Sequence, residues 1–405
     1  MQTGTSSRSR YDAIVVGARV AGAATAMLLA RAGLRVLSVD RARLGDDTVS
    51  THALMRGAVL QLHRWGLLRA LEAMGTPPIR SATFHYADEE ILVAIKPRDG
   101  IDALYAPRRT VLDPLLVRAA VEAGAEVVHG VAAVDLLRDA RGRVTGVLLA
   151  GADGNPTAVE APIVIGADGI RSPIARLAGA QVERAGRSAT AAVYGHFAGL
   201  ALDAYHWYYR PGLGAGAIPT NDGRTCLFVA LSPARFRHEL PGGIEPLYRR
   251  VLAEAAPALA PAVAGARLDA KLRSFPGTPG FLRRAWGPGW ALVGDAGYFK
   301  DPLTAHGITD ALRDAELLAR AVVARTDEAL AAYQATRDEL SLGLFEVTDR
   351  VASFAWDLDQ AKRDHQLLAR YMAGEAETLL ALDREYAGAR ATSRPASGRD
   401  LARSA

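Results

Sequence analysis

The pattern at the start of the chain is the feature that most constrains its fold. The apolar run of residues 11–16 predicts a buried strand, and the glycine loop Gly17-Ala18-Arg19-Val20-Ala21-Gly22 follows it directly. The Ala- and Leu-rich stretch Gly22–Arg31 has helical spacing, and Leu34–Val39 predicts a second strand that ends at Asp40. A strand–helix–strand unit of this kind predicts an α/β protein built on a doubly wound parallel sheet.

The positions of the glycines and of the acidic residue in this unit indicate a dinucleotide site. Gly17 permits the tight turn from strand to helix, and Gly22 allows the helix to pack closely on the sheet. A pyrophosphate can then lie at the helix N-terminus, and Asp40 is placed to accept hydrogen bonds from an adenosine ribose. Arg19 occupies the place of the second glycine, so its side chain either turns away from the pyrophosphate or contacts it.

Composition and charge exclude several other classes of protein. The chain has 405 residues and a formal net charge of +4, but its basic residues are dispersed and form no patch suited to nucleic acid. Cys226 is the only cysteine, so an intrachain disulfide is impossible, and no zinc-ligand spacing predicts a metal site. The apolar stretch from Ala23 to Val39 is broken by arginines, which predicts no membrane segment and a cytoplasmic location.

Two later motifs extend the pattern, and together the three resemble the FAD-dependent aromatic hydroxylase (group A flavoprotein monooxygenase) superfamily over residues 10–345. The second motif contains Gly166-Ala167-Asp168-Gly169, and Ala175 stands where that family usually has an arginine. In the family this motif contacts the FAD pyrophosphate and the nicotinamide cofactor. The third motif, Gly294-Asp295-Ala296, implies a carboxylate on the flavin ribitol.

The resemblance also implies a turn at the edge of the flavin and two arginines near the cofactor. Residues 300–308 are similar to a Pro-x-x-Gly-Gln-Gly turn, in which Ala305 and His306 depart from the pattern. The helix that follows would direct its positive end towards the reduced flavin. The predicted cofactor-binding residues are Gly17, Arg19, Ala21, Gly22, Asp40, Arg41, Arg56, Arg109, Asp168, Gly169, Gly294, Asp295, Pro302, Gly307 and Ile308.

The same reasoning predicts the domain organisation. An FAD-binding domain with a Rossmann-like, doubly wound parallel sheet takes residues 11–79, 100–180 and 281–345. An inserted substrate domain, an antiparallel sheet, takes residues 80–99 and 181–280, where strand patterns and Gly, Pro and Asn-Asp-Gly turns dominate. Helices are predicted for residues 346–390, with disordered or flexible ends at 1–10 and 391–405.

Candidate substrate and catalytic residues follow from this organisation. The antiparallel sheet would cover a cavity above the flavin ring, and strand alternation directs about half of its candidate residues inward. The predicted substrate residues are Tyr194, His196, Trp207, Tyr209 and Phe228, with His206 considered beside them. The predicted catalytic residues are His306 in the flavin-edge turn and His52 in the loop after Asp40, each with a structural role as the alternative.

The resemblance implies an FAD-dependent monooxygenase that uses NAD(P)H and O2 to hydroxylate an aromatic or conjugated small molecule through a flavin C4a-hydroperoxide. Two alternatives share the fold: a flavin-dependent reductase of isoprenoid-type double bonds, and a flavin-dependent halogenase. The halogenase alternative needs a buried lysine, for which Lys96 is the candidate. A non-catalytic flavin-binding protein is the remaining class. A monomer or a homodimer is expected.

Overall fold

The computed structural model describes residues 11–151 and 154–392. The predicted disordered start and all but the first two residues of the predicted flexible tail lie outside these residues. Within them the strands are β1 (Ala13–Val16), β2 (Val36–Asp40), β3 (Ser81–Tyr86), β4 (Glu89–Ala94), β5 (Glu126–His129), β6 (Ala132–Arg138), β7 (Val144–Ala150), β8 (Pro156–Glu160), β9 (Val164–Gly166), β10 (Val182–Ala185), β11 (Ala191–Ala198), β12 (Tyr205–Arg210), β13 (Leu213–Thr220), β14 (Arg224–Leu231), β15 (Arg267–Leu268), β16 (Arg273–Phe275), β17 (Phe281–Arg283), β18 (Trp286–Gly287), β19 (Trp290–Leu292) and β20 (Tyr298–Phe299).

The helices of the described residues are α1 (Val20–Arg31), α2 (Arg56–Arg64), α3 (Leu68–Ala73), α4 (Arg109–Glu122), α5 (Pro173–Ala178), α6 (Pro233–Glu239), α7 (Ile244–Ala255), α8 (Ala260–Gly265), α9 (Gly307–Ala324), α10 (Asp327–Ala352) and α11 (Leu358–Thr392). None of them combines the length and the apolar character that a membrane crossing requires.

A six-stranded sheet, in the order β18-β19-β9-β1-β2-β5, forms the centre of the first domain. The five strands from β19 to β5 are parallel, and only β18 runs antiparallel to its neighbour. All four residues of β1 are buried, as expected for a strand covered on both faces. The predicted doubly wound α/β fold is confirmed.

A second sheet of eight strands lies in the residues predicted to form the substrate domain. Its order is β15-β11-β14-β13-β12-β3-β4, and β16 pairs with β11. The hairpin β3–β4 joins it, as the alternation in residues 80–96 predicts. The pairing of β3 with β12 is parallel, whereas the other pairs are antiparallel. The sheet is therefore mixed rather than purely antiparallel.

This second sheet has two buried faces. On what we call the outer face, side chains such as Tyr208 and Val229 pack with α6 and α7 in a separate core. On what we call the inner face, side chains including Trp207 and Phe228 belong to the large core shared with the first domain. The inner face is therefore the boundary between the two domains.

The C-terminal helices close the molecule around this boundary. Helix α9 packs against α1 and α2, α10 packs against α9, and α11 packs against α10 and α2. Smaller sheets complete the fold, in the orders β6-β7-β8 and β10-β17-β20. Two side chains of α11 reach across the molecule. His365 bonds to the Tyr86 hydroxyl on β3, and Glu375 bonds to His306 at the start of α9.

Candidate active site

Close backbone contacts bring the three sequence motifs together. A Cβ atom at Gly17, whose φ is +105°, would lie 2.2 Å from the carbonyl oxygen of Ala167. One at Gly294 would lie 2.8 Å from Cβ of Ala21. Glycine is therefore required sterically at both positions, and the second and third motifs each contact the glycine loop. One continuous site results from segments more than a hundred residues apart in sequence.

At the first motif, the N-terminus of α1 and Asp40 lie together, where the sequence predicts the nucleotide end of the site. The N-cap residue of α1, Arg19, makes no side-chain capping hydrogen bond to the first turn. Asp40 accepts hydrogen bonds from the backbone N–H groups of Ala18 and Ala42, both at 2.8 Å. A narrow pocket lies beside it, with His129 in its wall. Arg41 is exposed.

Arg19 turns away from the N-terminus of α1 and towards α4. Its Nη1 lies 3.4 Å from a carboxylate oxygen of Asp113. Arg109 donates two hydrogen bonds to the same carboxylate, at 2.8 and 3.0 Å. Two arginines therefore share one buried carboxylate, which leaves a net positive charge close to the glycine loop.

At the second motif, Asp168 organises its own turn. Its carboxylate accepts hydrogen bonds from the Ser172 hydroxyl and, at 2.9 Å, from the Ile174 backbone N–H. Burial raises the pKa of Asp168, while these hydrogen bonds oppose the increase. Gly169, at φ +79°, takes the left-handed conformation of the turn. The Asp168 carboxylate therefore stabilises the turn at the start of α5.

At the third motif, Asp295 is the carboxylate that remains available to a ligand. It makes no side-chain hydrogen bond to any described residue and is only partly buried. Burial raises its pKa to about 6, and Asp310 adds to the increase, while Arg109 and Lys300 oppose it. A carboxylate in this state fits a ligand that donates hydroxyl hydrogen bonds, as a ribitol chain does.

The turn from Pro302 to Gly307 joins the third motif to α9. Ala305 adopts φ +51°, the left-handed region in which the related motif has glycine. Asp301 holds the turn by accepting hydrogen bonds from the N–H groups of Leu303 and Thr190. Burial raises the pKa of Asp301 to about 7 despite these bonds. The N-cap residue of α9, His306, likewise makes no side-chain capping hydrogen bond.

His306 lies behind this turn, within the helical layer. Its side chain is buried, and its Nε2 donates to Oε2 of Glu375 in α11 at 2.7 Å. Glu375 also accepts from Arg313 at 2.8 Å. Burial opposes ionisation of Glu375, but His306 and Arg313 hold its pKa below the usual value. His306 therefore anchors the flavin-edge turn, and its predicted catalytic role stays a prediction.

Arg56, predicted to lie near the phosphates, is engaged elsewhere. Its guanidinium donates to the carbonyl oxygens of Lys96, Arg98 and Ile101, at 2.6, 3.3 and 3.3 Å. These bonds fix the loop after β4. Binding of a phosphate by this side chain would require it to release that loop.

All five predicted substrate residues lie on the inner face. The register pairs Tyr194 with Phe228, and Trp207 with Gly216. Gly216 leaves the space that the Phe228 ring occupies, because a Cβ there would lie 2.3 Å from it. Gly214, two residues away, faces Leu303 of the flavin-edge turn. His206 instead points to the outer face, where it stacks with His85.

His52 and His196 meet across the boundary between the domains. Their Nε2 atoms are 2.9 Å apart, and Cys226 lies beside them. Tyr194 fixes the same loop: its hydroxyl accepts from the Ser50 N–H at 3.1 Å and donates to the Thr48 carbonyl. The structure therefore assembles one predicted catalytic residue with two predicted substrate residues.

Sequence reasoning missed several residues at this site. Glu375 and Asp113 hold predicted site residues, and Arg283 donates to the carbonyl of Ala296 at 2.8 Å, behind the third motif. Asp113 follows Arg109 by four residues on one helix, a spacing typical of an ion pair, so a signal existed. Glu375 is 69 residues from His306, and nothing local in the sequence pairs them.

A family described as an FAD binding domain matches residues 10–346. The chain therefore belongs to this family of FAD-binding proteins, and the resemblance to the FAD-dependent aromatic hydroxylase superfamily is confirmed. The free carboxylate of Asp295 and the uncapped N-termini of α1 and α9 fit FAD. They would hold its ribitol, pyrophosphate and flavin edge.

The similar proteins carry names that describe different activities. Digeranylgeranylglycerophospholipid reductase 2 of Methanopyrus kandleri is 33% identical over 75% of this chain and 74% of its own. The structure of P. aeruginosa PqsL in complex with 2-aminobenzoylacetate is 25% identical, with a TM-score of 0.75 over 88% of this chain and 100% of that one. The flavin-dependent brominase Bmp2 is 20% identical, with a TM-score of 0.76 over 93% and 100%, and shows the fold alone.

Proposed function

We propose that the protein is an FAD-dependent monooxygenase that uses NAD(P)H and O2 to hydroxylate an aromatic or conjugated small molecule. One observation carries the proposal: the aromatic inner face lies opposite the flavin-edge turn, where Gly214 faces Leu303. Trp207, Phe228 and Tyr209 supply flat apolar surfaces that suit a planar substrate.

The residues of this chain bind and orient the cofactor. Asp295 would accept the ribitol hydroxyls, and the N-terminus of α1 would hold the pyrophosphate. The N-terminus of α9 would favour negative charge at the flavin. Bound FAD would supply acceptance of a hydride from NAD(P)H and activation of O2.

The two-domain boundary keeps water away from the reacting atoms. The inner face belongs to the largest core of the described residues, and Trp207, Phe228 and Tyr209 are each at most 6% exposed. Exclusion of water strengthens the electrostatic interactions of the fixed charges in the site and protects reactive species from hydrolysis. A monooxygenase requires this exclusion of water, because otherwise peroxide is lost before oxygen is transferred to the substrate.

Reduction of an isoprenoid-type double bond is the second candidate. The 33% identity to a digeranylgeranylglycerophospholipid reductase favours it, and an apolar inner face would also accept a polyprenyl chain. Halogenation is not supported, because it needs a buried lysine that is free to react and none of the four lysines meets this requirement. Lys96 and Lys271 are exposed, Lys362 pairs with Glu89, and the buried Lys300 is bonded to Asp310.

Isotope labelling separates the two candidates. The FAD-loaded protein is incubated with NAD(P)H, 18O2 and a panel of phenols, aminobenzoyl compounds and polyprenyl alkenes. A monooxygenase places one 18O atom in the product, whereas a reductase adds two hydrogens and no oxygen. Product formed under 18O2 without the label would contradict the proposed function.

Two glycine variants test whether the inner face is the substrate site. Gly216→Ala places a methyl group 2.3 Å from the Phe228 ring and should raise KM by displacing that ring. Gly214→Ala is the matched control, because its methyl group meets Leu303 at an ordinary 3.6 Å. Equal KM values for the two variants would place the substrate elsewhere.

A further inference from the structure

Strand β4 forms an edge of the eight-stranded sheet, with β3 as its only neighbour among the described strands. The side chains of a strand alternate between two faces, and all six residues of β4 are exposed, so both of its faces are accessible. The opposite edge of the sheet consists of the short strands β15 and β16. Short edge strands prevent unwanted pairing with other chains, and β4 lacks this protection.

The centre of β4 is apolar and regular. Ile91, Leu92 and Val93 are consecutive in the chain and are 38%, 67% and 42% exposed. Leu92 is the most exposed large hydrophobic residue that the structure describes. The pairing of β4 with β3 has no bulge, and Pro97 lies only after the strand has ended. The centre of the edge therefore has the features of a strand that pairs with another chain.

The backbone of β4 presents a defined set of unpaired groups. The N–H of Ile95 donates to the carbonyl oxygen of Arg80 at 2.8 Å, and this pair continues the register of β3 and β4. Hydrogen-bonded pairs alternate along an antiparallel ladder, so Glu90, Leu92 and Ala94 direct their N–H and C=O groups to the open edge. Within the described parts of the chain, no backbone group bonds to these three residues at that edge.

The two ends of β4 carry charges of opposite sign. Asp88 and Glu90 lie at the end next to the hairpin turn, whereas Lys96 and Arg98 follow the strand. Lys96 is exposed, and its ammonium makes no ion pair with a described residue. Opposite charges on neighbouring strands attract, and like charges directly opposite each other are destabilising. When such a strand pairs antiparallel with a copy of itself, the acidic end of each strand meets the basic end of the other.

The edge is held in a fixed position from within the molecule. Glu89 pairs with Lys362, and Arg98 lies 3.3 Å from Glu377, so both ends of the segment are bonded to α11. A strand that is ordered before it binds loses little conformational entropy on association. The edge is therefore prepared for a partner strand.

We propose that β4 forms the interface of a homodimer, in which it pairs antiparallel with β4 of a second copy of this chain. The two-fold axis lies at Leu92, which faces Leu92 of the second copy, and Glu90 faces Ala94. This register satisfies the open backbone groups and buries the apolar centre of both strands. It also places Asp88 opposite Lys96 of the second copy. The proposal goes beyond the proposed function and does not depend on it.

An unrelated peptide that adds a strand to this edge is the competing interpretation. The order of charges favours a second copy of the chain. Acidic residues, then apolar residues, then basic residues form a sequence that is complementary to itself when one of the two strands is reversed. A different partner would need the same order of charges in its own sequence.

Sedimentation equilibrium of the FAD-loaded protein distinguishes one chain of 42.9 kDa from a dimer of twice that mass. Concentrations up to about 100 µM detect a dimer with a micromolar Kd. Leu92→Lys places two like charges face to face at the axis and should weaken the dimer at least about tenfold. Val182→Lys is the matched control and should leave the dimer unchanged. Val182 is also an exposed apolar residue, at 51%, but it lies on the edge strand β10 of another sheet.

Two charge reversals test the register. Asp88→Lys and Lys96→Asp should each weaken self-association, because each places like charges opposite each other in the dimer. A mixture of the two variants should form the dimer again, since each opposing pair then consists of one lysine and one aspartate. Both side chains are exposed, so both variants should fold and bind FAD as the wild-type protein does.

The proposal is supported by a wild-type dimer that is weakened in Leu92→Lys and in each charge variant, and that is restored in the mixture. A wild-type protein that stays monomeric over this range would overturn it. If deletion of residues 1–10 then allowed dimerisation, the edge would belong to that segment. A dimer that persists in Leu92→Lys, one that dissociates in Val182→Lys, or a mixture that stays monomeric would also overturn the proposal.

Discussion

Arg19 shows how a single residue can depart from a motif without disrupting its site. An arginine in a glycine loop should crowd the pyrophosphate, but here its side chain lies against Asp113, which is already neutralised by Arg109. The sequence shows that Arg19 replaces the second glycine of the loop. It allows two positions for the side chain, one turned away from the pyrophosphate and one in contact with it. It cannot choose between them, because Asp113 is 94 residues away.

We expect Arg19→Gly to change the Kd for FAD by no more than about threefold, since the loop backbone supplies the phosphate donors. Fluorescence titration of the apoprotein measures this constant. Arg109→Ala is the comparison variant, because it removes the cation near Asp295 and should weaken binding. A tenfold loss in Arg19→Gly, about 1.4 kcal/mol, would show instead that Arg19 contacts the phosphate.

Asp295 should make FAD binding depend on pH. Its pKa is raised to about 6 without a ligand, while ribitol hydroxyls donate to the charged carboxylate. Binding therefore favours the ionised form, so FAD affinity is complete above pH 6 and falls about tenfold per pH unit below it. Asp295→Asn should lose about 1.5–3 kcal/mol of affinity at pH 8 and much of this pH dependence. Parallel pH curves for the two proteins would be inconsistent with this role.

At the scale of elements, α11 supports the start of α9. The family match ends at residue 346, whereas the side chain that holds His306 belongs to α11. Local periodicity indicates a C-terminal helix correctly, but it does not show which earlier helix that helix contacts. The same limit applies to β3, whose alternation predicts a strand but not its parallel pairing with β12.

Glu375→Gln should shift the absorption spectrum and the reduction potential of bound FAD, because His306 and the start of α9 lose their anchor. It should also cost about 3–5 kcal/mol of stability, the range for breaking a buried ion pair. Glu377→Gln is the control on the same helix, where an exposed carboxylate lies 3.3 Å from Arg98. That variant should change stability by at most about 1 kcal/mol. An unshifted potential in Glu375→Gln would limit Glu375 to a structural role.

The molecule as a whole carries buried histidines that make its fold sensitive to acid. Burial lowers the pKa of His365 to about 4, with Asp364 opposing, and its Nδ1 lies 2.8 Å from the Tyr86 hydroxyl. An unfolded chain binds a proton at this residue near pH 6.5, but the folded protein does not. The stabilising contribution is therefore complete above pH 6.5 and is lost as the pH falls towards 4.

We expect His365→Gln to lose less stability than the wild-type protein between pH 7.5 and pH 4.5, by about 2 kcal/mol. Urea denaturation at each pH measures the difference. His238→Gln removes an exposed histidine from α6 and controls for the loss of one imidazole. If the wild-type and His365→Gln curves remain parallel over this range, the ring takes up its proton at the same pH in the folded and unfolded protein.

The order in which the site residues occur along the chain has a consequence for biosynthesis. The glycine loop and Asp40 lie within the first few dozen residues, but the carboxylate that bonds to His306 in the flavin-edge turn belongs to Glu375 of α11. On a ribosome, the N-terminal βαβ unit emerges first and α11 emerges long afterwards. A nascent chain can therefore meet the adenosine half of its cofactor early. Secure capture of the isoalloxazine has to wait until translation has passed α11.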